Sequence, residues 1–190
     1  MRLKKVSVGI LGTNCYILLP EDRDDCVVID PGSEADRILK ETEGRRVAAV
    51  LLTHGHFDHI GVSAEVAGDS PVYIRPEDMA MLEDPELNGS AQLTGKPVVT
   101  RPRDPRRLTE DMLEVGGLSF RVMHTPGHSA GSVCYLTEDM LFTGDTLFRH
   151  GWGRTDLYGG SDRDMMASLR MLMHLRKQMP YPIYPGHDNE

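Results

Sequence analysis

The heptapeptide Thr53-His54-Gly55-His56-Phe57-Asp58-His59 directly follows the apolar residues 47–52 and decides how the rest of the chain is interpreted. It contains three imidazoles and one carboxylate, whereas a loop that only faces solvent would more often use Ser, Asn, Lys and Glu. Imidazole and carboxylate together are the ligands of zinc and of first-row transition metals. The sequence therefore predicts a metal site at the end of a buried strand.

Further candidate ligands follow other predicted strands, and each has glycine immediately before it. They are His128, Asp145 and His187. Glycine lets the backbone turn sharply and approach a site closely. Asp30, which precedes Pro31-Gly32, has the same position at the end of a strand. We expect Asp30 to orient a ligand histidine rather than to bind metal.

The candidate metal ligands are more numerous than one ion requires. They are His54, His56, Asp58, His59, His128, Asp145 and His187. A tetrahedral zinc takes four donors, so this set fits two metals that share a bridging carboxylate and leave positions open for water. Two such ions polarise a carbonyl group and generate hydroxide near neutral pH. The sequence therefore favours a catalytic centre over a structural zinc site.

The order of predicted elements indicates two halves, each of which starts with strands and continues into a helix. Residues 47–52 form a strand that is buried on both faces, and Gly116-Gly117 is the clearest hairpin turn. Helices are expected over residues 34–42 with Ser33 as N-cap, and over 61–67, 76–82 and 162–179. Residues 83–109 are expected to be irregular and to lie over a site. Two sheets would pack face to face with helices outside them, which is an α/β class.

Composition limits the function classes. The chain has 190 residues, 39% of them hydrophobic, and a net charge of −8. An acidic chain is a poor general partner for nucleic acid, and no apolar run approaches membrane-spanning length. The cysteines Cys15, Cys26 and Cys134 form no C-x-x-C pair, and their apolar context predicts reduced core thiols. We expect a cytoplasmic protein without a signal peptide, without nucleic-acid or membrane partners, and of undetermined oligomeric state.

These residues resemble the metallo-β-lactamase superfamily, whose signature is His-x-His-x-Asp-His followed by separate His, Asp and His. The resemblance covers essentially the whole chain and implies a single domain over residues 1–190 with the four-layer αβ/βα sandwich fold. It also implies the distribution of ligands between two divalent metal ions, with zinc expected and iron or manganese also suitable. The first ion would take His54, His56 and His128; the second would take Asp58, His59 and His187; Asp145 would bridge them.

Within that superfamily the chain is most similar to the short glyoxalase II-like hydrolases. This similarity rests on Thr125-Pro126-Gly127-His128-Ser129, on Thr143-Gly144-Asp145-Thr146 and on Gly153-Arg154-Thr155-Asp156. It implies that a metal-bound hydroxide hydrolyses a small-molecule thioester, S-lactoylglutathione or another acyl-thiol, and that Asp58 orients the water. A separate C-terminal glutathione-binding helical domain is not expected. Arg154 and Tyr158 are the candidate substrate contacts.

Other activities of the same fold stay open. A persulfide dioxygenase-like oxidoreductase would use a single iron held by two histidines and an aspartate. A lactonase of the same fold also stays open. A zinc β-lactamase is disfavoured, because Asp145 stands where a cysteine is common in those enzymes.

Overall fold

The computed structural model describes residues 1–188. Its strands, in chain order, are β1 Arg2–Val8, β2 Thr13–Leu19, β3 Asp25–Ile29, β4 Arg46–Leu51, β5 Pro71–Ile74, β6 Asp104–Arg107, β7 Met112–Val115, β8 Leu118–His124, β9 Val133–Thr137, β10 Met140–Gly144 and β11 Ile183–Pro185. Its α-helices are α1 Ala35–Glu41, α2 Phe57–Ile60, α3 Ser63–Ala67, α4 Ser90–Thr94 and α5 Asp162–Gln178, and a 3-10 helix covers Pro76–Leu82.

The strands form two mixed sheets. The first has the order β1-β2-β3-β4-β5-β6, in which β3 to β6 run parallel to one another. The second has the order β11-β10-β9-β8-β7, and there only β10 and β11 are parallel. Gly116 and Gly117 both have positive φ and make the tight turn between β7 and β8, as predicted.

Alternating side chains of each strand divide the apolar interior into layers. In β2, Tyr16 and Leu18 point into the core between the sheets, whereas Cys15, Ile17 and Leu19 point into the core beneath α1 and α3. A third cluster packs α5 against the outer face of the second sheet. Because successive strand residues face opposite sides, a sheet with helices outside it is apolar on both faces. The predicted two-sheet α/β sandwich is confirmed.

The predicted helix over residues 76–82 is present and is a 3-10 helix. Two local predictions were wrong. Ser33 is not the N-cap of α1; Glu34 holds that position at φ 59°, because its carboxylate accepts from the Gly9 amide and pairs with Arg37. The segment 83–109 is not irregular throughout, because it contains α4 and β6, and β6 pairs with β5.

Backbone and side-chain hydrogen bonds join the two sheets at one end of the sandwich. The Val133 amide donates to the Thr53 carbonyl at 2.8 Å, and the Tyr135 hydroxyl donates to the Leu52 carbonyl at 2.7 Å. The Asn14 amide donates to the Gly186 carbonyl at 2.7 Å. Each bond links a residue at the end of a strand in one sheet to the other sheet, so the loops that follow these strands lie together.

Asp78 of the 3-10 helix is a second connection at this end. Its carboxylate is 1% exposed and accepts hydrogen bonds from the Gly55 amide at 2.9 Å, the Gly131 amide at 2.7 Å and the Ser129 hydroxyl at 2.6 Å. Gly55 belongs to the loop after β4, and Ser129 and Gly131 belong to the loop between β8 and β9. One buried carboxylate therefore holds loops from both sheets in register.

We predict that Asp78→Ala lowers the free energy of unfolding by about 2–4 kcal/mol, because it leaves buried N–H and O–H groups without an acceptor. Denaturant unfolding of the metal-loaded protein measures this change. Asp69→Ala is the control, because Asp69 is 84% exposed and pairs only at the surface with Arg103. Equal unfolding midpoints for the two variants would contradict this role of Asp78.

The three cysteines are buried and unpaired within the described residues. Burial raises the pKa of Cys26 to about 11 and that of Cys134 to about 12, and it raises the pKa of Cys15 well above its usual range. We predict that the native protein at pH 8 reacts with a thiol reagent far more slowly than the guanidinium-unfolded protein, which exposes three thiols. Rapid modification of any thiol in the native state would show that this packing is wrong.

Along residues 1–188, no helix is both long and apolar enough to cross a membrane.

Candidate metal centre

The loops at the joined end of the sandwich bring all seven candidate ligands together. His54 and His56 follow β4, and Asp58 and His59 lie in α2, the short helix that continues that loop. His128 lies between β8 and β9, Asp145 follows β10, and His187 follows β11. The donors form three groups whose atoms lie within 4.8 Å of one another: His54, His56 and His128; His54, His59 and Asp145; Asp58, His59 and His187.

Glycine allows one of these loops to approach closely. A Cβ on Gly186 would lie 2.1 Å from Asp145 Oδ1 and 2.8 Å from His59 Cε1. Any side chain at position 186 would therefore displace Asp145 and His59. This is the close approach that the glycine before His187 predicted.

The donor atoms of Asp58, His59, His187 and Asp145 have spacings that are typical of a coordination shell. Asp58 Oδ2 lies 3.4 Å from His59 Nε2 and 3.3 Å from His187 Nε2. Asp145 Oδ1 lies 3.4 Å from His59 Nε2, and its Oδ2 lies 3.5 Å from His128 Nε2. These distances exceed good hydrogen bonds, but donors at the corners of a zinc tetrahedron are about 3.4 Å apart. Asp145 thus lies close to His59 of one donor group and to His128 of the other, as a bridging carboxylate requires.

Several buried donor atoms in the site have no hydrogen-bond partner. Among them are His54 Nε2 and Asp145 Oδ1. A buried polar atom without a partner costs free energy, so such atoms need an explanation. A divalent cation supplies one, because it would accept these lone pairs. The donor set therefore fits metal ions.

Neighbouring groups fix the orientation of the ligand imidazoles. Asp30 is 2% exposed, and its Oδ2 lies 2.9 Å from His59 Nδ1 while it also accepts from the Thr53 amide and hydroxyl. His128 Nδ1 lies 2.7 Å from the Arg154 carbonyl, and His187 Nδ1 lies 3.2 Å from the Leu11 carbonyl. In each histidine the other ring nitrogen faces the site. The position expected for Asp30, behind a ligand histidine, is the one the structure shows.

The histidine pKa values differ between the group of His54 and His56 and the group of His59 and His187. Burial, together with repulsion from neighbouring imidazoles, lowers the pKa of His56 to about 3 and that of His54 well below its usual value. These rings are neutral and offer lone pairs. Burial also opposes protonation of His59, but the carboxylates of Asp58, Asp145 and Asp30 outweigh it and raise its pKa to about 9.

His187 behaves in the same way as His59. Burial opposes its charge, yet hydrogen bonds and attraction from Asp145 and Asp58 raise its pKa to about 11. The same pairs hold the pKa of Asp58 below its usual value although burial acts in the opposite direction. This half of the site therefore attracts positive charge, which a metal cation would supply in exchange for protons.

Five of the seven donor residues line an open cleft of about 370 Å³; they are His56, Asp58, His128, Asp145 and His187. Arg154 lines this cleft, and its guanidinium makes a bidentate ion pair with Asp156 at 2.7 and 2.8 Å. Tyr158 is exposed, and at this point of the chain Leu157 rather than Tyr158 lines the cleft. Residues 83–109 contribute Asn88, Leu93 and Thr94 to the wall.

Sequence reasoning did not identify Asp78. Its carboxylate accepts from the amide of Gly55, the residue between His54 and His56 in the chain. It also accepts from the hydroxyl of Ser129, the residue after His128. An acidic residue inside a predicted helix is usually solvated, so its local pattern carried no signal. The one available hint was an acid beside the apolar residues Met79, Met81 and Leu82.

Comparison with known proteins places this geometry in a family. The sequence profile of the metallo-β-lactamase superfamily matches residues 8–187. The probable metallo-hydrolase YqgX of Bacillus subtilis is 39% identical over 89% of this chain and 82% of its own length. The hydroxyacylglutathione hydrolase GloC of Haemophilus influenzae is 30% identical over 90% of this chain and 83% of its own length.

Solved structures agree with the fold. The BLEG-1 B3 metallo-β-lactamase has 40% identity and a TM-score of 0.87, covering 98% of this chain and 91% of that one. TTHA1623 in a di-iron-bound form has 36% identity and a TM-score of 0.81, with coverage of 97% and 91%. ETHE1 from Myxococcus xanthus has 28% identity and a TM-score of 0.76, with coverage of 100% and 77%. The chain belongs to the metallo-β-lactamase superfamily, and the proteins similar to it include metallo-hydrolases.

Proposed function

We propose that this chain is a metal-dependent hydrolase that cleaves acyl-thiol thioesters, such as S-lactoylglutathione. The observation that carries the proposal is the set of seven clustered donors, five of which line an open cleft, with Asp145 close to both His59 and His128. The thioester as substrate is supported by the similarity to GloC, which is named a hydroxyacylglutathione hydrolase.

Two divalent ions would be held by residues of this chain. His54, His56 and His128 would bind one, and Asp58, His59 and His187 would bind the other, with Asp145 contacting both. When bound, such ions lower the pKa of water and polarise a carbonyl group. Zinc is proposed, while iron and manganese also suit imidazole and carboxylate donors, and the similar TTHA1623 was solved in a di-iron-bound form.

The side chains of the site would contribute orientation and charge. Asp58 is the proposed catalytic residue. Its Oδ2 accepts from the Thr13 hydroxyl at 2.7 Å, which fixes the carboxylate where it can orient the attacking water as well as bind metal. Water adds to the thioester carbonyl carbon, the carbon–sulfur bond breaks, and the proton leaves with the thiolate as free thiol. The products are a carboxylic acid and a thiol.

Other chemistry of the fold has specific support here. His54, His59 and Asp145 form a group of two histidines and one carboxylate, which is the donor set of mononuclear iron oxygenases. An iron-dependent oxidation of a persulfide is therefore the second candidate function. The 40% identity to BLEG-1 also makes β-lactams a necessary test substrate, beside lactones.

One prediction from the proposed function concerns the choice of substrate. Purified protein reconstituted with zinc or with iron is assayed with S-lactoylglutathione, a chromogenic cephalosporin, an acyl lactone, and glutathione persulfide with oxygen uptake. We expect thioester hydrolysis to have the highest kcat/KM, because thiolate is a good leaving group at an electrophilic carbonyl. Oxygen uptake with the persulfide and no thioester hydrolysis would replace the proposal by the oxidoreductase.

The second prediction concerns Asp58. Asp58→Asn should lower kcat for thioester hydrolysis by about 100-fold or more, because the neutral amide replaces the charged acceptor that orients the water. Asp69→Asn is the control, since that carboxylate is exposed and pairs with Arg103. Elemental analysis of each sample separates loss of metal from loss of chemistry. Unchanged hydrolysis in Asp58→Asn with its metals still bound would exclude the role proposed for Asp58.

A further inference from the structure

The mouth of the cleft is lined by large apolar side chains that face solvent. Ile10 is 84% exposed, Leu11 is 51% exposed and Leu93 is 48% exposed, and all three line the cleft above the metal-ligand cluster. Phe57 and Leu157 continue the apolar wall inward. Scattered exposed apolar residues are ordinary, but several around one concave site are typical of ligand binding.

Local structure holds this apolar mouth in place. Ile10 and Leu11 lie at the tip of the turn between β1 and β2, where Gly9 and Gly12 have φ of 69° and 67° and the Gly12 amide donates to the Gly9 carbonyl. The Leu11 carbonyl lies 3.2 Å from His187 Nδ1, so this turn contacts a metal-ligand residue directly. Leu93 belongs to α4, and the Phe57 amide donates to the Asn88 carbonyl just before that helix.

Charge at the mouth does not match an anionic carrier. Among the cleft-lining residues within the described part of the chain, Arg154 is the one arginine or lysine. Its guanidinium is bidentate with Asp156 through Nε and Nη2, which offsets part of its charge. An apolar group would instead meet three exposed apolar side chains at the mouth, Ile10, Leu11 and Leu93. The mouth therefore favours a neutral, apolar group over the charged termini of a peptide thiol.

We infer that Ile10, Leu11 and Leu93 form a subsite for an apolar chain attached to the scissile thioester. This inference rests on the proposed thioester hydrolysis and specifies its substrate class. The chain could be the acyl group or the thiol substituent, because both flank the same bond. Among thioesters, the preferred substrate then has an extended hydrocarbon part, and a short hydroxyacyl ester of glutathione is a poorer one.

The test compares two series of neutral thioesters with the metal-loaded protein. In one series, thioesters of N-acetylcysteamine carry acyl groups from acetyl to hexanoyl; in the other, acetyl thioesters carry thiols from ethanethiol to hexanethiol. Burial of each methylene should raise kcat/KM by about twofold in an open cleft, and therefore by at least about tenfold along one series. The series that shows the rise identifies the part of the substrate that lies in the subsite.

Variants separate the subsite from a general effect of chain length. Leu93→Ser and Ile10→Ser should abolish most of the rise, because they remove the apolar contact without altering a metal-ligand residue. Met173→Ser is the matched control, since Met173 is 47% exposed on α5 and does not line the cleft. A flat wild-type profile in both series, or an equal rise in Leu93→Ser, would overturn the inference.

A binding measurement keeps the subsite distinct from the hydrolysis. The S-hexyl and S-ethyl thioethers of N-acetylcysteamine cannot be hydrolysed, and calorimetry gives their affinities for the same metal-loaded protein. We expect the hexyl compound to bind at least about tenfold more tightly, with the difference lost in Leu93→Ser. If no thioester is hydrolysed, the proposed function fails, and this difference alone decides the subsite. Equal affinities would reject it.

Discussion

Buried imidazoles and carboxylates lie against one another where the two sheets meet, and their mutual compensation is the constraint on which this end of the molecule depends. An isolated buried charge is costly, so each charged group here requires an opposite charge or a cation. Asp58 and Asp145 face His59 and His187, whereas His54 and His56 remain neutral with unpaired ring nitrogens. The protein alone leaves the second set unsatisfied, and metal ions would complete it.

The surrounding structure holds these groups in positions that they would not adopt by mutual attraction alone. Asp30 has a φ of 53°, a conformation that costs free energy outside glycine, and it is held there by bonds to Thr53 and His59. Asp78 plays the equivalent part on the other side, where it ties the loop of His54 and His56 to the loop of His128. Asp30 contacts a candidate ligand directly, whereas Asp78 holds the loops that carry candidate ligands.

The sequence predicted the fold class and the clustering of the site well, because both depend on strong local signals. The segment 53–59 and the glycine-preceded donors at strand ends need only the rule that such ends meet at one edge of a sandwich. Asp78 could not be predicted, since its partners Gly55 and Gly131 are more than 20 positions away in the chain. Glu34 displaced Ser33 as the helix cap for the same reason, through its non-local bond to Gly9. Strand β6 likewise depends on pairing with β5 rather than on its own residues, Asp104–Arg107.

Two metal ions that share Asp145 should lie at one edge of the sandwich. Anomalous diffraction from crystals of the metal-loaded protein, recorded at the zinc and iron absorption edges, locates them. Two peaks are expected, one among His54, His56 and His128 and one among Asp58, His59 and His187, with Asp145 in contact with both. A single peak, or ions bound away from these residues, would contradict it.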